Sequence, residues 1–524
     1  MRCIALGQAW LDAARHKGEV REQGSEVGTL KRSDCKSQAA SLTPAPSVVF
    51  ICAEIPGALA ERLETEGFKL IRIDAEPGSP DDLTQTLNVV SLQSAIENRQ
   101  SKITNPWLVL DGYHFDLDYQ RGLRTAGCKL LLIDDYNHLL EYECDILLNQ
   151  NIGAEELEYR INSGAKQLLG TKYVLLRREF RCLEKKDPVF PNLGKNVLVT
   201  LGGADPDNMT LKVIEALQQL DYLDLHVKIV VGLANPNLDS LQRATDLSIL
   251  DFQLLTDVED MPSLMTWADV TLSSGGSTCW ELCCLGVPFV TLVLAENQRG
   301  LATELDRCGV APCLGEDTSV DAIAGVLTGL LSDRGGRERC RASGRELVDG
   351  FGVYRVLYRP AKESGLDLLG GRFSLRLAIK CDMELFWNWA NDPSVRENCY
   401  NSTSISLESH KKWFARKLAS KDVLMLVFEL DGTPVGQIRY DRNGEVAEIG
   451  FSIDRQFRGL GLGLKIIEQS FARAFSELGV DAVRAEVFQS NPASQSAFYK
   501  TGFELAESCE IKGVPSHIFI KKRS

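Results

Sequence analysis

Residues 269–288 read DVTLSSGGSTCWELCCLGVP, and this stretch decides the fold of the middle of the chain. It begins with the apolar run Asp269–Ser273, which is typical of a buried strand. A turn, Ser274-Gly275-Gly276, follows, and then the predicted helix Ser277–Leu285. A strand, a glycine turn and a helix in this order indicate one unit of a doubly wound parallel α/β sheet.

The same alternation of short apolar runs and amphipathic segments extends in both directions from this unit. It predicts strands at Ser47–Ala53, Trp107–Leu110, Lys129–Ile133, Asn196–Leu201, His226–Val231 and Pro288–Leu294. It predicts helices at Gly57–Gly67, Met209–Leu220, 319–332 and 335–349. The chain is therefore expected to be α/β, with two Rossmann-like domains followed by a third α/β domain.

Breaks in this alternation predict the domain boundaries. Residues 21–46 are polar and aperiodic, which indicates a flexible insertion. Glycine and proline punctuate residues 351–371, which we interpret as a connector. The predicted domains are residues 1–180, 190–350 and 372–524.

Composition excludes several classes of function. The 524 residues carry 58 Lys+Arg and 72 Asp+Glu, a net charge of −14. Residues 371–524 hold 21 basic and 19 acidic side chains, so the acidity lies in the remainder, and no basic face for nucleic acid is expected. No apolar run approaches the roughly 20 residues of a membrane helix. The 15 cysteines show no zinc-ligand spacing, so we expect free thiols, no metal and a cytoplasmic chain.

Two glycine turns mark a predicted ligand crevice in the middle domain. Gly202-Gly203 follows one strand and Ser274-Gly275-Gly276 follows another. At the carboxyl ends of parallel strands, glycines let the backbone approach a phosphate and the next helix offers free N–H groups. Ser277 or Thr278 fits this role or that of a plain helix cap. Glu281 fits the two ribose hydroxyls of a nucleotide, and it is equally a favourable first-turn acid.

These residues carry a resemblance to a known family. The middle domain resembles the nucleotide half of GT-B proteins of the MurG type, and the first 350 residues resemble the PseG/SpsG family of UDP-sugar hydrolases. The matching motifs are Phe50-Ile51-Cys52, Ile55-Pro56-Gly57, Leu110-Asp111-Gly112-Tyr113, Ile133-Asp134-Asp135, Cys144–Asn151, Leu169–Arg177, Leu201–Asp205 and Ser273–Thr278.

The resemblance implies a chemistry. A UDP-linked 2,4-diacetamido-2,4,6-trideoxy sugar would bind, and water would attack its anomeric carbon as UDP leaves. Ser277 and the glycine backbone would hold the diphosphate and Glu281 the ribose. The resemblance further implies that three side chains face the sugar or the cleft: Asn297, Gln298 and Tyr113. In their plain alternatives, Asn297 starts a helix and Tyr113 packs with its hydroxyl bonded.

The sequence departs from this family at its start. There the first strand runs into a Gly-x-Gly-His-x-Met-Arg-Cys loop whose His is the expected general base. This sequence begins Met1-Arg2-Cys3, at the Met of that motif. We therefore expect a chain that starts late and lacks that strand, loop and base, with substitution by His114 or His138 the less favoured alternative.

The last domain carries a second anion-binding pattern. A predicted strand, Val446–Ile453, leads into Arg458-Gly459-Leu460-Gly461-Leu462-Gly463 and then a helix. Glycines before a helix start suit a pyrophosphate, and a dinucleotide fold is the competing interpretation. Asn491-Pro492 and the Ala497-Phe498-Tyr499 run follow downstream.

This context resembles the GNAT acetyltransferases, and Trp387–Arg396 with Ile405–Phe414 resembles the pseudaminic-pathway enzyme PseH. The resemblance implies acetyl-CoA as acetyl donor, bound by Phe451, Ile453, Arg458, Gly459, Gly461, Gly463 and Asn491. Tyr499 would protonate the leaving thiolate, and Glu448 would act as base. Each has an alternative: Tyr499 as a packed aromatic, Glu448 as a solvated edge carboxylate, and Asn491 as a turn residue before a proline.

The two activities would be consecutive, because acetylation of a UDP-4-amino sugar makes the substrate of the hydrolase. The sequence therefore predicts a bifunctional enzyme of nonulosonic (pseudaminic) acid synthesis with a UDP-linked amino sugar and acetyl-CoA as its partners. Two alternatives stay open: an acetyltransferase whose first part binds UDP-sugar without hydrolysing it, and a MurG-like glycosyltransferase.

Overall fold

The structure is a computed structural model. It describes residues 1–23, 48–97, 105–181, 189–202, 205, 207–220, 224–232, 235–256, 258–315, 317–364, 373–430 and 433–523, without the side chains of 14–23, 93–97 and Asn297. Residues 24–46 of the predicted insertion lie outside this set. The chain divides into two units, the first mainly residues 29–368 together with Met1–Arg15, the second mainly residues 369–524.

The first unit begins with a helix that the sequence pattern does not predict, α1 (Arg2–Gln23). The other elements of its first half are β1 (Val49–Cys52), α2 (Gly57–Thr65), β2 (Lys69–Arg72), α3 (Pro80–Glu97), β3 (Trp107–Asp111), α4 (Leu117–Thr125), β4 (Lys129–Ile133), β5 (Ile146–Asn149), β6 (Lys166–Leu169) and α5 (Arg178–Arg181). All paired strands are parallel, but they form two sheets, β1-β2 and β3-β4-β5-β6. The expected Rossmann-like sheet is thus divided within the described residues.

The second half of this unit is one doubly wound sheet. Its elements are β7 (Asn196–Thr200), α6 (Met209–Gln218), β8 (His226–Val230), α7 (Leu238–Asp246), β9 (Asp251–Leu255), α8 (Met261–Trp267), β10 (Val270–Ser274), α9 (Thr278–Leu285), β11 (Phe289–Leu292), α10 (Glu296–Arg307), α11 (Val320–Ser332) and α12 (Arg334–Leu347). The strand order is β11-β10-β7-β8-β9, all parallel.

Helices cover both faces of the centre of this sheet, and the apolar residues Val197, Leu198 and Val199 of the central strand β7 are all buried. Val197 and Val199 pack on one face with Ile214 of α6. Leu198 points to the other face and packs with Trp280 of α9. The carboxyl ends of β7 and β10 therefore share one edge, where the two glycine turns lie.

A helix replaces most of the predicted connector at 351–371. Helix α13 (Gly352–Glu363) buries Val353 and Leu357. It packs on the first half of the unit, where Lys129 Nζ lies 2.6 Å from Glu363 Oε2 and Arg359 donates to the Asp145 carbonyl at 3.2 Å. Part of the predicted connector is therefore a packed element of the first unit.

The second unit is a seven-stranded sheet with helices. Its elements are β12 (Phe373–Leu377), α14 (Met383–Asn391), α15 (Pro393–Glu397), α16 (Leu407–Leu418), β13 (Val423–Leu430), β14 (Thr433–Asn443), β15 (Val446–Ile453), α17 (Leu462–Leu478), β16 (Ala482–Phe488), α18 (Pro492–Lys500), β17 (Glu504–Ile511) and β18 (Val514–Lys522). The order is β12-β13-β14-β15-β16-β18-β17, antiparallel except for β15 with β16.

None of the helices in the described ranges is long and apolar enough to cross a membrane. Three cysteines lie on α9 and are buried, as expected for packed thiols: Cys279, Cys283 and Cys284. Burial raises the pKa of the Cys279 thiol to about 12. Across the described ranges, no three His, Cys, Asp or Glu side chains converge as metal ligands would.

Candidate functional site

The first candidate site is the turn between β10 and α9. Gly275 must be glycine, because a Cβ there would lie 3.0 Å from the Gln298 carbonyl oxygen. A Cβ on Gly276 would meet only the Ser274 hydroxyl, at 3.9 Å, so open space lies over it. The turn is thus closed against α10 on one side and open on the other, as a close approach of a ligand to the backbone requires.

The amino end of α9 offers unused donors. Ser277 takes the N-cap position, is exposed, and makes no side-chain capping bond. The hydroxyl of Ser277 therefore does not cap α9, and the prediction of a plain helix cap at Ser277 is wrong in this respect. Within the described ranges, the amides of Ser277 and Thr278 donate to no acceptor. Free amides at the positive end of a helix are an anion-binding arrangement.

Glu281 lies one turn into α9 and is mostly buried, with 15% of its side chain exposed. Its Oε1 accepts a hydrogen bond from Arg177 Nη2 at 2.9 Å. Burial raises the pKa of Glu281, and the positive charge of Arg177 opposes that rise without cancelling it. Glu281 is also the acidic residue of the first turn of α9, so its plain alternative, a favourable first-turn acid, is realised as well.

The other predicted nucleotide residues are placed as follows. Gly202 follows β7 with φ +95°, a left-handed conformation that favours glycine. Gly203 lies outside the described residues. Gln298 lies in the first turn of α10, where its Oε1 accepts from the Leu294 amide at 3.0 Å. Asn297 is in the same turn, and its side chain is outside the description.

A charged network at the carboxyl ends of β3 and β4 was not predicted. Arg2 donates from Nη2 to Asp111 at 2.5 Å and from Nη1 to Asp135 at 2.7 Å. Asp135 also accepts from the Tyr113 hydroxyl at 2.6 Å and from Asn151 Nδ2 at 2.9 Å. Burial acts to raise the pKa of Asp135, but Arg2 and these donors outweigh it and the pKa lies below its ordinary value.

Tyr113 combines an exposed ring with a bonded hydroxyl. The residue is 48% exposed, so it is more open than the packing alternative requires. Burial of the hydroxyl, the bond to Asp135 and the charge of Asp135 raise the pKa of Tyr113 well above its ordinary value. Tyr113 is therefore a neutral phenol that can still accept a hydrogen bond.

The histidine alternatives find little support. His138 Nδ1 is bonded to the buried Asp134, and its Nε2 is buried without a partner in the described part of the chain. This places the imidazole inside the first half of the unit. A Cβ on Gly78 would overlap the His114 carbonyl oxygen, so His114 is fixed against the loop after β2.

The second candidate site lies between β15 and α17. Gly459 and Gly461 have φ of +84° and +71°, and Gly461 is the N-cap of α17. A Cβ on Gly463 would lie 3.4 Å from the Phe451 ring, which itself packs on Phe498 at 5.8 Å between centroids. These glycines form a left-handed turn into a helix amino end, which suits a pyrophosphate.

The guanidinium of Arg458 is held within this unit. Its Nη2 lies 3.0 Å from Asp392 Oδ1, and its Nε donates to the Ile453 carbonyl at 3.0 Å. The sequence pattern did not indicate this pairing. Among the described residues, the amides of Gly459, Gly461 and Gly463 donate to no backbone acceptor and stay available to a ligand. The side chain of Arg458 instead joins this loop to Asp392, the N-cap of α15.

Strands β15 and β16 separate at their carboxyl ends. They pair only over Val446–Glu448 against Ala482–Arg484. The remainder of β15, from Ile449 through Ile453, faces no hydrogen-bonded strand on that side among the described residues. Unpaired strand edges bind extended chains, so this opening suits the amide-containing arm of an acyl carrier.

The predicted chemical groups lie around this opening. Glu448 is exposed at the last paired position of β15. Tyr499 is 51% exposed on α18, and its ring meets Phe519 edge-on at 4.9 Å. Its hydroxyl has no hydrogen-bond partner in the part of the chain that the structure describes. Asn491 caps α18 by accepting from the Ser494 amide at 3.1 Å, so its plain alternative is realised.

Two protein families and two related proteins match parts of this chain. Residues 372–504 match the acetyltransferase (GNAT) domain family, and residues 196–334 match the glycosyltransferase family 28 C-terminal domain. The spore coat polysaccharide biosynthesis protein SpsG of Bacillus subtilis is 27% identical over 234 residues, 44% of this chain and 68% of that protein. An uncharacterized protein of Methanocaldococcus jannaschii is 24% identical over 460 residues, 85% of this chain and 87% of that one.

Two solved acetyltransferase structures each align with 29% of this chain, which is about the length of one domain. The aminoglycoside acetyltransferase AAC(6')-Ib in complex with ribostamycin and coenzyme A has a TM-score of 0.27 and 19% identity, covering 29% of this chain and 93% of that one. Spermidine N-acetyltransferase from Vibrio cholerae in complex with CoA and spermine has a TM-score of 0.27 and 14% identity, covering 29% and 96%.

The last domain is therefore a GNAT acetyltransferase domain. More particularly, the chain joins an SpsG-like region, which contains a glycosyltransferase family 28 C-terminal domain, to this acetyltransferase domain. The glycine turn into α17 fits acetyl-CoA, the acetyl donor of this class.

Proposed function

We propose that the chain is a bifunctional enzyme of nonulosonic (pseudaminic) acid synthesis. Its last domain acetylates a UDP-4-amino sugar, and its first unit hydrolyses the product, UDP-2,4-diacetamido-2,4,6-trideoxy-β-L-altropyranose, to release UDP. The observation that carries the proposal is the open glycine turn before α9, with its free amides and Glu281 one turn later. Similarity to SpsG and the family 28 match support it.

The nucleotide is held by α9 in this proposal. The diphosphate lies over Gly276 and accepts hydrogen bonds from the amides of Ser277 and Thr278, where the helix dipole stabilises its charge. The ribose hydroxyls donate to Glu281.

Hydrolysis breaks the bond between the anomeric carbon and the diphosphate oxygen. Water attacks that carbon and gives up a proton to the departing diphosphate or to solvent, and UDP leaves as an anion that the α9 amides stabilise. Asn297, Gln298 and Tyr113 contact the sugar. Tyr113 is held as a neutral phenol by Asp135, so its role is to bind and orient rather than to remove a proton.

Acetyl transfer takes place at the opening between β15 and β16. The backbone of Phe451 and Ile453 binds the arm of acetyl-CoA, and Gly459, Gly461 and Gly463 bind its pyrophosphate. Glu448 accepts the proton of the sugar amine, directly or through water, before the amine attacks the thioester carbonyl. Tyr499 donates its proton to the thiolate that leaves.

One second function has an observation in its favour. The match to a glycosyltransferase family supports transfer of the sugar to an acceptor other than water. An acetyltransferase with a first unit that only binds UDP-sugar is the remaining alternative. All three share the nucleotide site and differ in the fate of the anomeric carbon.

An isotope experiment separates these functions. The full chain is incubated with the UDP-diacetamido sugar in H2(18)O, and the products are analysed by mass spectrometry. We expect the label in the free sugar and none in UDP, which shows attack at carbon. Three results would each refute the proposed hydrolysis. They are label in UDP, UDP release no faster than in the protein-free control, and UDP release only when an acceptor is added. Glu281→Ala is the matched variant and should slow release.

A further inference from the structure

The inference concerns Arg177, whose contact with Glu281 joins residues 104 positions apart in the chain. Arg177 follows β6 in the first half of the unit, and Glu281 lies on α9 in the second half. Both side chains are largely buried, with 14% and 15% of their surface exposed. A buried ion pair of this kind is sensitive to the loss of either partner.

Arg177 is fixed by more than one contact. Its Nη1 lies 2.9 Å from Glu179 Oε1, while its Nη2 binds Glu281. The guanidinium also lies over the Phe180 ring, 4.9 Å from the centroid. A planar group held at both nitrogens and on one face cannot rotate freely, so it presents Nη2 to Glu281 in one orientation.

The contact leaves half of the Glu281 carboxylate available. Arg177 binds Oε1, and Oε2 has no hydrogen-bond partner among the residues that the structure describes. Burial disfavours the charged form of Glu281, and Arg177 is the main opposing influence. Without Arg177, a larger share of Glu281 would be protonated, and the carboxyl group would lose its anchor.

The anchor itself extends into the first half of the unit. Glu179 binds Arg62 at 3.1 Å, Arg62 binds Glu66 at 2.9 Å, and Arg178 binds both Glu66 and Asp12. These opposite charges link α1, α2 and the segment around α5. Arg177 is the member of this series that reaches α9.

We infer that Arg177 is a positioning residue for nucleotide binding: it holds Oε1 of Glu281 and thereby turns the free Oε2 toward the ribose hydroxyls. The inference rests on the proposed nucleotide site. Arg177 need not touch the nucleotide. Its effect reaches the ligand through the carboxylate, so it acts on ribose recognition and leaves diphosphate recognition by the α9 amides unchanged.

Calorimetry on the full chain compares the binding of UDP and of 2′,3′-dideoxy-UDP, which lacks both ribose hydroxyls, by the wild type and by Arg177→Ala. A positioning role predicts that R177A weakens UDP at least tenfold, weakens 2′,3′-dideoxy-UDP by less than twofold, and removes the preference for ribose. Arg177→Lys keeps the charge and should restore part of the preference. Arg124→Ala is the matched control, because Arg124 pairs with Glu143 in the first half of the unit, outside the series that holds Arg177, and it should bind both nucleotides as the wild type does.

Other outcomes are distinguishable. Equal weakening of both nucleotides means that Arg177 only maintains the fold, and no weakening means that Glu281 is independent of it; either result overturns the inference. A wild type that binds UDP without preferring ribose overturns the inference and spares the nucleotide site. A wild type without UDP affinity refutes the proposed function and the inference together. If R177A does not fold, judged by circular dichroism, R177K decides in its place: an unchanged ribose preference combined with weaker binding of both nucleotides overturns the inference.

Discussion

Replacing Tyr499 separates a chemical role from a packing role. The hydroxyl of Tyr499 makes no hydrogen bond among the described residues, and the ring is half-exposed against Phe519. Tyr499→Phe therefore removes only the proton donor and should change stability by less than about 0.5 kcal/mol. If the hydroxyl protonates the leaving thiolate, kcat should fall by about 10²–10⁴-fold.

Tyr499→Ala supplies the contrast. An aromatic side chain buries about 150–250 Å² when it is fully covered, so a half-covered ring corresponds to about 100 Å². At roughly 25 cal/mol per Å² its loss destabilises the domain by about 2–3 kcal/mol. For a domain of this size that lowers Tm by about 5–10 °C.

The assay follows thiol release from acetyl-CoA with a chromogenic disulfide, beside thermal unfolding of each variant. The account requires Y499F to melt with the wild type and to lose turnover. Wild-type kcat in Y499F would refute the acid role, and a Y499F melting temperature as low as that of Y499A would show that the hydroxyl is structural.

Other predictions concern both sites. Glu281→Ala should weaken UDP by about 150-fold or more, since a charge-assisted bond to each of the two hydroxyls contributes about 1.5–3 kcal/mol; calorimetry checks this. Because the pKa of Glu281 lies above its ordinary value of 4.5, protonation on acidification should weaken UDP at a higher pH than for an ordinary glutamate, and Glu281→Gln should remove that step. Gly461→Ala should raise the KM for acetyl-CoA several-fold, because alanine at φ +71° is strained by roughly 1 kcal/mol. Asp205→Ala should lower the free energy of unfolding by about 2–4 kcal/mol in a denaturant titration, since its buried carboxylate accepts from Met209, Thr210 and the Thr210 hydroxyl at the start of α6.

Local patterns were sufficient for the second half of the first unit. The run from Asp269 to Pro288 folds as the predicted strand, turn and helix, and all five residues of the strand are buried, including the polar Thr271, Ser273 and Ser274. The predicted glycine turn and Glu281 lie where the strand ends require. The glycines from Gly459 to Gly463 likewise lead from β15 into the amino end of α17, as the sequence predicts.

Elements with weak local signals were missed. Helix α1 has a poorly amphipathic sequence. The structure shows which of its side chains are buried, among them Ile4, which packs with Leu63 and Phe68. The sequence predicts a connector where helix α13 lies, because Gly352 stands at the start of this segment and Pro360 in its interior. Tertiary contacts with the first half of the unit stabilise it despite Pro360.

The sequence also could not predict ion pairs between residues that lie far apart in the chain. Arg177 is the last residue of the motif Leu169–Arg177, yet its role depends on Glu281, which lies 104 positions further along the chain. Arg2 with Asp135 and Arg458 with Asp392 are similar cases. Charge alone is too common to select such partners, because many arginines and carboxylates are available in this chain.

The central claim is that two consecutive activities reside in this chain. The most direct measurement incubates the full chain with acetyl-CoA and the UDP-linked 4-amino sugar and follows free thiol and free UDP in the same reaction. The account predicts that thiol appears first, that UDP follows after a lag, and that omitting acetyl-CoA suppresses both. Thiol release without UDP would contradict the hydrolase, and release of neither would contradict the substrate assignment.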